Sequence, residues 1–272
     1  MQTHSPRVGQ PRRSVSPILA LGFAATLFAQ VHDARAQGQQ GDARSILKAT
    51  ADYVSSQQTI EIKFDSDIEV VTPQLEKIQF TSSGEALLSR PNDLRARRVG
   101  GYADVELIFD GKVVSVHGIS LNAYAQFELA GTVDELIEAL RAGHGVALPG
   151  ADFLLSRPYE ALVADVMEAK HIGRGVVDGV ECEHLAFRNF DTDWQLWVDV
   201  GDRPVPRKLV ITSKTLNGAP QYTFRIKSWR TGFEPARDAF RFAPPAGARR
   251  IDANDLLELD ELPPEAPAGV SP

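Results

Sequence analysis

The sequence predicts an α+β fold that is mostly antiparallel β, with one strongly curved sheet that covers about three helices. Three observations lead to this prediction. Apolar and polar residues alternate along several segments, which is typical of strands with one face in water. Short turns, and not helices, join successive strand-like segments, which favours an antiparallel meander over a parallel sheet. Each predicted helix has a single apolar stripe, so each must pack on the sheet.

The clearest alternation predicts a long strand over residues 60–70. Apolar residues share one parity and polar residues the other: Ile60, Ile62, Phe64, Ile68 and Val70 against Glu61, Lys63, Asp65, Asp67 and Glu69. One face of this strand should therefore be buried and the other wet. Further strands are predicted at regular spacing, over residues 121–129, 180–187, 194–200, 207–212 and 222–229.

A hairpin is predicted around Asp110 and Gly111, because both residues tolerate the positive φ of a two-residue turn. A loop of these two residues would place Leu107 opposite Val114 and Val105 opposite Val116, with all four side chains on one apolar face. The same register places His117 opposite Asp104 on the polar face. A surface position is therefore expected for this histidine, and no catalytic one.

Three helices are predicted from apolar spacing and capping signals. The first opens at Asp42, and its stripe consists of Ile46, Leu47, Tyr53 and Val54. The second opens with the capping box Thr132 to Glu135 and continues to Gly143, with an apolar face of Val133, Leu136, Ile137 and Leu140. The third has Pro158 in its first turn and a buried face of Leu162, Val163 and Val166.

The two ends of the chain have other compositions. Residues 1–36 have the layout of a secretory signal peptide: basic residues, an apolar run over 18–31, and Ala34-Arg35-Ala36 as a cleavage signal. The apolar run is shorter than the roughly 18 residues that a membrane-spanning helix needs. Cleavage after Ala36 is expected to leave a single curved-sheet domain over residues 37–251, with no transmembrane segment. Residues 252–272 form an acidic stretch that turns proline-rich, and they are expected to be a short extension followed by a disordered tail.

The net charge and the cysteine content limit which ligands and which stabilising bonds can be expected for this chain. The net charge of −7 becomes −10 without the leader, which carries four arginines and one aspartate. So acidic a chain is not expected to bind nucleic acid or an anionic membrane surface by bulk electrostatics. Cys182 is the only cysteine, so no intramolecular disulfide can form. Within an apolar strand it is expected to be a small buried residue and not a reactive thiol.

No complete catalytic or metal site is predicted. The sequence contains neither a Gly-x-Ser-x-Gly nucleophile turn nor a phosphate-binding loop. The histidines of the predicted domain are scattered, so no metal or cofactor is expected: His117, His144, His171 and His184. Asp191 and Asp193 could suggest a calcium or glycosidase-like pair, but aspartates at a hairpin tip more often hydrogen-bond their own backbone. An enzyme would need that pair or His184 in a cleft.

Trp194 and Trp197 stand on one predicted strand with opposite parity. One of them should enter the core. The other should face solvent, a groove or a partner, since aromatic side chains on both faces of a strand lower solubility unless both faces are covered. Trp197 is therefore a candidate partner contact, with core packing as the alternative.

Several motifs together resemble an uncharacterised family of predicted periplasmic proteins, domain of unknown function 2092. They lie at residues 90–91, 110–111, 182–188, 193–197, 206–208, 220–222, 229 and 240–248. The resemblance covers roughly residues 43–251. This family in turn resembles the outer-membrane lipoprotein carrier group, which implies a half-open, barrel-like sheet closed by helices over an apolar cavity that holds acyl chains. It also implies a periplasmic location.

Two hypotheses of function follow from the pattern and the resemblance. In the first, a non-enzymatic carrier holds a lipid or a lipoprotein acyl chain against the apolar face of the sheet. The candidate lining residues are Ile62, Phe64, Leu107, Phe109, Tyr124, Leu196, Tyr222 and Phe224, each of which could equally be ordinary core. In the second, the chain is a cell-envelope module that binds a protein partner and carries no lipid.

Overall fold

The computed structural model describes residues 42–101 and 103–259. The predicted signal peptide and residues 260–272 of the predicted tail lie outside this part of the chain. Within the described residues, twelve strands form one sheet in the order β12-β6-β5-β4-β3-β2-β1-β11-β10-β9-β8-β7. Their bounds are Thr59–Val71 (β1), Lys77–Ser89 (β2), Asp93–Gly100 (β3), Asp104–Asp110 (β4), Val113–Gly118 (β5), Ala123–Glu128 (β6), Glu168–Val177 (β7), Val180–Arg188 (β8), Thr192–Asp199 (β9), Pro206–Ser213 (β10), Gln221–Thr231 (β11) and Arg249–Arg250 (β12).

The sheet consists of two antiparallel meanders joined at its centre. Strands β1–β6 form the first and β7–β11 the second, and β1 pairs with both β2 and β11. Only the two-residue β12 runs parallel to its neighbour, β6. Because the order starts at β12 and ends at β7, the sheet stays unclosed. The predicted fold class is confirmed: a mostly antiparallel, half-open sheet with few helices.

Helices cover one face of this sheet, which we call the inner face. Helix α1 spans residues 42–56, α2 Val133–Glu138 and α3 Pro158–Val163. A π-helical turn, Ala139–Gly143, continues α2, and 3-10 turns lie at Ala151–Leu154 and Ala253–Leu259. The predicted capping box is present: the Glu135 carboxylate accepts a 2.8 Å hydrogen bond from the Thr132 amide.

Two apolar clusters fill the space between helices and sheet. The first joins β1–β6 and β11 to α2 and to Val54 of α1. The second joins β7–β10 to α3 and to Leu47 of α1. Helix α1 therefore bridges both clusters, as its single predicted stripe requires. Leu256 and Leu259 also belong to the first cluster, so the short segment over residues 253–259 packs against the domain.

The predicted hairpin exists, but its register was wrong by two residues. The loop consists of Gly111 and Lys112. The Asp110 carboxylate stabilises it by accepting hydrogen bonds from the Lys112 and Val113 amides at 3.0 and 2.8 Å. The facing couples are therefore Leu107 with Val116, Phe109 with Val114 and Val105 with Gly118. A shift of two keeps every side chain on its predicted face.

His117 departs from its expected surface position. It faces Glu106 and not Asp104, and it is buried on the outer face of β5. The segment that follows β11 crosses this face, and the Phe242 ring packs on His117 and Tyr124 with centroid distances of 5.9 and 5.6 Å. The sequence pattern of the strands could not show this layer, because it comes from an irregular segment about 120 residues away.

Candidate ligand site on the inner face of the sheet

The inner face of the central strands is mostly apolar. Strand pairing places Ile62 beside Ala86 of β2 and Trp229 of β11, and Phe64 beside Gly84 and Ile226. Further along the same face, β4 and β5 contribute Leu107, Phe109, Val114 and Val116. The period of two along each strand brings these residues together from five strands.

Phe64 and Phe224 form the centre of this surface. Their ring centroids are 4.6 Å apart, and Phe224 packs against both apolar clusters. Gly84 leaves room for the Phe64 ring, since a Cβ there would collide with the ring and would lie 2.5 Å from the carbonyl oxygen of Arg97. The absence of a side chain at Gly84 thus lets an aromatic ring extend from β1 over β2.

Several apolar side chains of the inner face remain partly exposed although they touch the buried core. They are Phe64, Ala86, Leu107, Val116, Phe127, Phe224 and Trp229. The long connection between α2 and α3 approaches the same surface. Its residues Val146 and Leu148 pack on the first cluster, and an ion pair of Arg141 with Asp152 at 2.7 Å ties its two ends together.

A small polar group interrupts this apolar surface. It consists of Tyr222 and Ser66, whose side chains are both buried on this face. Burial raises the pKa of Tyr222, and the nearby positive charge of Arg98 opposes that effect. The indole N–H of Trp229 is buried too, and no acceptor among the described residues lies within hydrogen-bond distance of it.

The predicted lining residues do not all meet at one place. Ile62, Phe64, Leu107, Tyr222 and Phe224 share the inner face of the central strands. On the same face Phe109 and Leu196 are fully buried beneath the helix layer. Tyr124 lies on the outer face, because its neighbours Ala123 and Ala125 point inward and its ring packs on Phe242. Sequence reasoning missed Val116, Phe127 and Trp229, which alternation within their strands could have identified.

The two tryptophans of β9 have opposite environments, as their parity predicts. Trp194 is in the second core cluster and stacks on Phe187 at 3.9 Å between centroids. Trp197 lies on the outer face, half-buried between His184, 4.1 Å away ring to ring, and the Lys208 ammonium, 4.9 Å from its centroid. These neighbours cover much of the ring that was a candidate partner contact.

The side chains considered for catalysis contact neighbouring side chains of the domain. His184 Nε2 lies 2.9 Å from Gln195 Oε1, beside Trp197. The Asp193 carboxylate accepts hydrogen bonds from Arg188 and Lys214 at 3.2 and 3.1 Å, and not from its own backbone as expected. Cys182 is fully buried, and burial raises the pKa of its thiol, as expected for a packing residue.

The sequence of the domain matches the profile of one family along most of its length. The family is described as predicted periplasmic protein, domain of unknown function 2092, and the match spans residues 43–254. The chain belongs to this family. The resemblance found in the sequence is thereby confirmed, over nearly the same residues.

Solved structures resemble the chain at low identity. Lipoprotein LppX of Mycobacterium tuberculosis is 12% identical with a TM-score of 0.44, over 71% of this chain and 98% of that chain. A LolA superfamily protein of Nitrosomonas europaea is 11% identical with a TM-score of 0.35, over 74% and 97%. The MucA/MucB complex of Pseudomonas aeruginosa is 16% identical with a TM-score of 0.41, over 74% and 61%. These likenesses concern the fold alone.

Two further comparisons complete the description. A search of curated proteins returns no match to the chain. Across residues 42–101 and 103–259, every helix is too short or too polar to cross a bilayer.

Proposed function

We propose that the protein is a non-enzymatic binding or carrier protein of the periplasm, which holds the acyl chain of a lipid or of a lipoprotein-like ligand against the inner face of the sheet. The observation that carries the proposal is the row of inner-face apolar side chains that are only partly buried, from Phe127 through Val116, Leu107 and Phe64 to Phe224. The family description as predicted periplasmic supports the location.

Burial of an alkyl chain on such a surface is favourable without any catalytic group. Each methylene that leaves water contributes about 0.8 kcal/mol. Full burial of about ten methylenes on the central row would contribute about 8 kcal/mol, which is large enough to offset much of the roughly 4–15 kcal/mol that association costs. Apolar lining with few polar groups is typical of such sites.

Titration with dodecanol tests this proposal, because the alcohol offers an alkyl chain without charge. We expect saturable binding to the purified protein by calorimetry. Leu107→Glu should weaken binding about tenfold or more, since it places a carboxylate on the apolar surface. Leu121→Glu, on an exposed turn, is the matched control and should bind as the unmodified protein does. Absence of binding to the unmodified, folded protein would contradict the proposal.

The second candidate is an envelope module that binds a protein partner. Exposed apolar side chains at the free sheet edge favour it: Met167, Ile172 and Val176 in and beside β7, and Phe190 in the β8–β9 turn. A free edge offers unpaired backbone groups to an added strand. Capture of one periplasmic protein that is lost with Val176→Asp but kept with Trp197→Ala would favour this edge; capture lost only with Trp197→Ala would favour the outer face.

A further inference from the structure

Two cationic side chains, Lys208 of β10 and Arg225 of β11, face each other directly on the outer face of the sheet. Leu209 belongs to the second apolar cluster and Phe224 packs against it, so the period of two turns Lys208 and Arg225 outward. Side chains at such facing positions have Cβ atoms about 5 Å apart, and like charges there are destabilising. The pair therefore calls for a compensating negative charge.

Strand β10 shows how the outer face usually supplies that charge. Arg207, next to Lys208 in the chain, forms an ion pair of 2.6 Å with Asp199 of β9. Lys208 has no such partner within the described part of the chain, where its ammonium contacts the Trp197 ring, 4.9 Å from the centroid. The face of a tryptophan ring attracts a cation but carries no net charge. Ion pairing therefore leaves the charge of Lys208 uncompensated.

Arg225 is also incompletely paired. Its Nη1 lies 3.8 Å from the Asp178 carboxylate, which binds the Lys227 ammonium more closely, at 2.9 Å. Asp65 faces Arg225 from β1, but its carboxylate accepts a hydrogen bond of 2.7 Å from the Ser83 hydroxyl. The Arg225 Nε is buried, and no acceptor among the described residues lies within hydrogen-bond distance of it. Part of the donor capacity of this guanidinium is therefore unused.

The surroundings of the two cations are partly shielded from water. Lys208 is half-buried, and burial lowers the pKa of its ammonium; the charge of Arg225 lowers this pKa further, and the charge of Asp67 acts in the opposite direction. The Trp197 ring borders the pair on one side. The β7–β8 turn with Asp178 reaches β11 on another side, although β9 and β10 lie between β8 and β11. An anion is attracted more strongly at such a site than in bulk water.

We infer that Lys208 and Arg225 form a binding site for a phosphate monoester group on the outer face. The charges match, because such a group carries about −1.5 to −2 at neutral pH and would face two cations. A guanidinium can donate two parallel hydrogen bonds to phosphate oxygens, and the ammonium adds a point charge. A carboxylate, with a single negative charge, would leave one cation unpaired. The inference goes beyond the carrier proposal and is independent of it, since the acyl chain is placed on the opposite face.

Calorimetric titration of the purified protein with inorganic phosphate, at an ionic strength fixed with sodium chloride, tests the inference. We expect saturable binding. Lys208→Met and Arg225→Met should each weaken it about tenfold or more, since each removes a charge-assisted hydrogen bond. Lys63→Met is the matched control, because Lys63 is an exposed lysine on the outer face of β1, and it should bind phosphate as the unmodified protein does.

Phosphatidate vesicles separate a lipid headgroup from a soluble phosphate monoester. Cosedimentation with phosphatidate but not with phosphatidylcholine, lost in Lys208→Met, would assign the site to a headgroup. Phosphate binding without cosedimentation would assign it to a soluble ligand.

Three results would overturn the site. The first is that the folded, unmodified protein binds neither phosphate nor phosphatidate vesicles. The second is that binding is unchanged in both Lys208→Met and Arg225→Met, and the third is that Lys63→Met weakens it as much as they do. Circular dichroism checks the fold of each variant. Where Lys208→Met does not fold, Lys208→Gln takes its place with the same expectation.

Discussion

Gly84 lies on the inner face directly beneath the Phe64 ring, where a methyl group has no room. Gly84→Ala should therefore push the ring or the β3 backbone aside and lower the free energy of unfolding by about 1–3 kcal/mol. Gly143→Ala is the control, since a Cβ at Gly143 would meet no atom within 4 Å. Urea denaturation of both variants measures the difference; equal stability would contradict the close packing of Phe64.

Tyr222 makes the free energy of unfolding depend on pH in the alkaline range. Burial raises the pKa of its phenol above the ordinary value of 10.0. The unfolded chain therefore loses this proton first, so the stabilising contribution is complete below pH 10.0 and is lost as the pH rises toward the folded-state pKa. Unfolding free energies measured from neutral to alkaline pH should fall less steeply for Tyr222→Phe. Equal slopes in both proteins would contradict this contribution of Tyr222.

The half-buried side chain of Arg90 links three segments of the chain through hydrogen bonds. Its Nε donates to the Gln57 carbonyl at 3.2 Å and its Nη1 to the Leu154 carbonyl at 2.7 Å, and burial lowers its pKa. Arg90→Met should destabilise the fold by about 1–3 kcal/mol, because it leaves these carbonyls unpaired. Thermal unfolding compared with Arg237→Met, at an exposed position, provides the check. A similar loss in both variants would mean that these contacts contribute little.

The burial of single residues was predicted correctly where the alternation along a strand alone determines which face a side chain occupies. Trp194 is core and Trp197 is not, and Cys182 is a buried packing residue. Tyr124 and His117 were placed less well, because the apolar residues of β5 and β6 serve two layers, the helices inside and the segment with Phe242 outside.

At the scale of elements, the segment that contains Phe242 acts as a second cover over the outer face of β5 and β6. Phe242→Ala should uncover His117 and Tyr124 and lower stability by about 1–3 kcal/mol through lost apolar burial. Phe190→Ala removes the same ring from an exposed turn, 85% accessible, and should cost almost nothing. Chemical denaturation of both variants tests this. Equal effects would indicate that the segment does not stabilise the sheet.

Element prediction succeeded for strongly patterned segments and failed for weakly patterned ones. The strand over residues 60–70 and the capped helix at Thr132 were predicted because large apolar residues recur at regular spacing. Strands β2 and β3 were missed. Their inner positions include small or polar residues, such as Ser82, Gly84 and Ala96, and arginines dominate β3, so alternation of apolar residues is faint.

At the scale of the whole molecule, alternation and one-sided helices were enough to predict a single antiparallel sheet with helices on one face, since few other arrangements bury both patterns at once. The strand order was beyond sequence reasoning. The pairing of β1 with β11 joins segments about 160 residues apart, and no local signal encodes such a contact. This pairing unites the two meanders, and it brings Phe64 and Phe224 together.

Native mass spectrometry of the protein purified from the periplasm without detergent tests the central claim most directly. The account predicts a bound fraction whose added mass corresponds to a lipid or another acyl-bearing molecule, released by organic extraction and reduced in Leu107→Glu. A protein that carries no such mass, and that still takes up none when incubated with acyl amphiphiles, would contradict the proposal that the inner face is a ligand site.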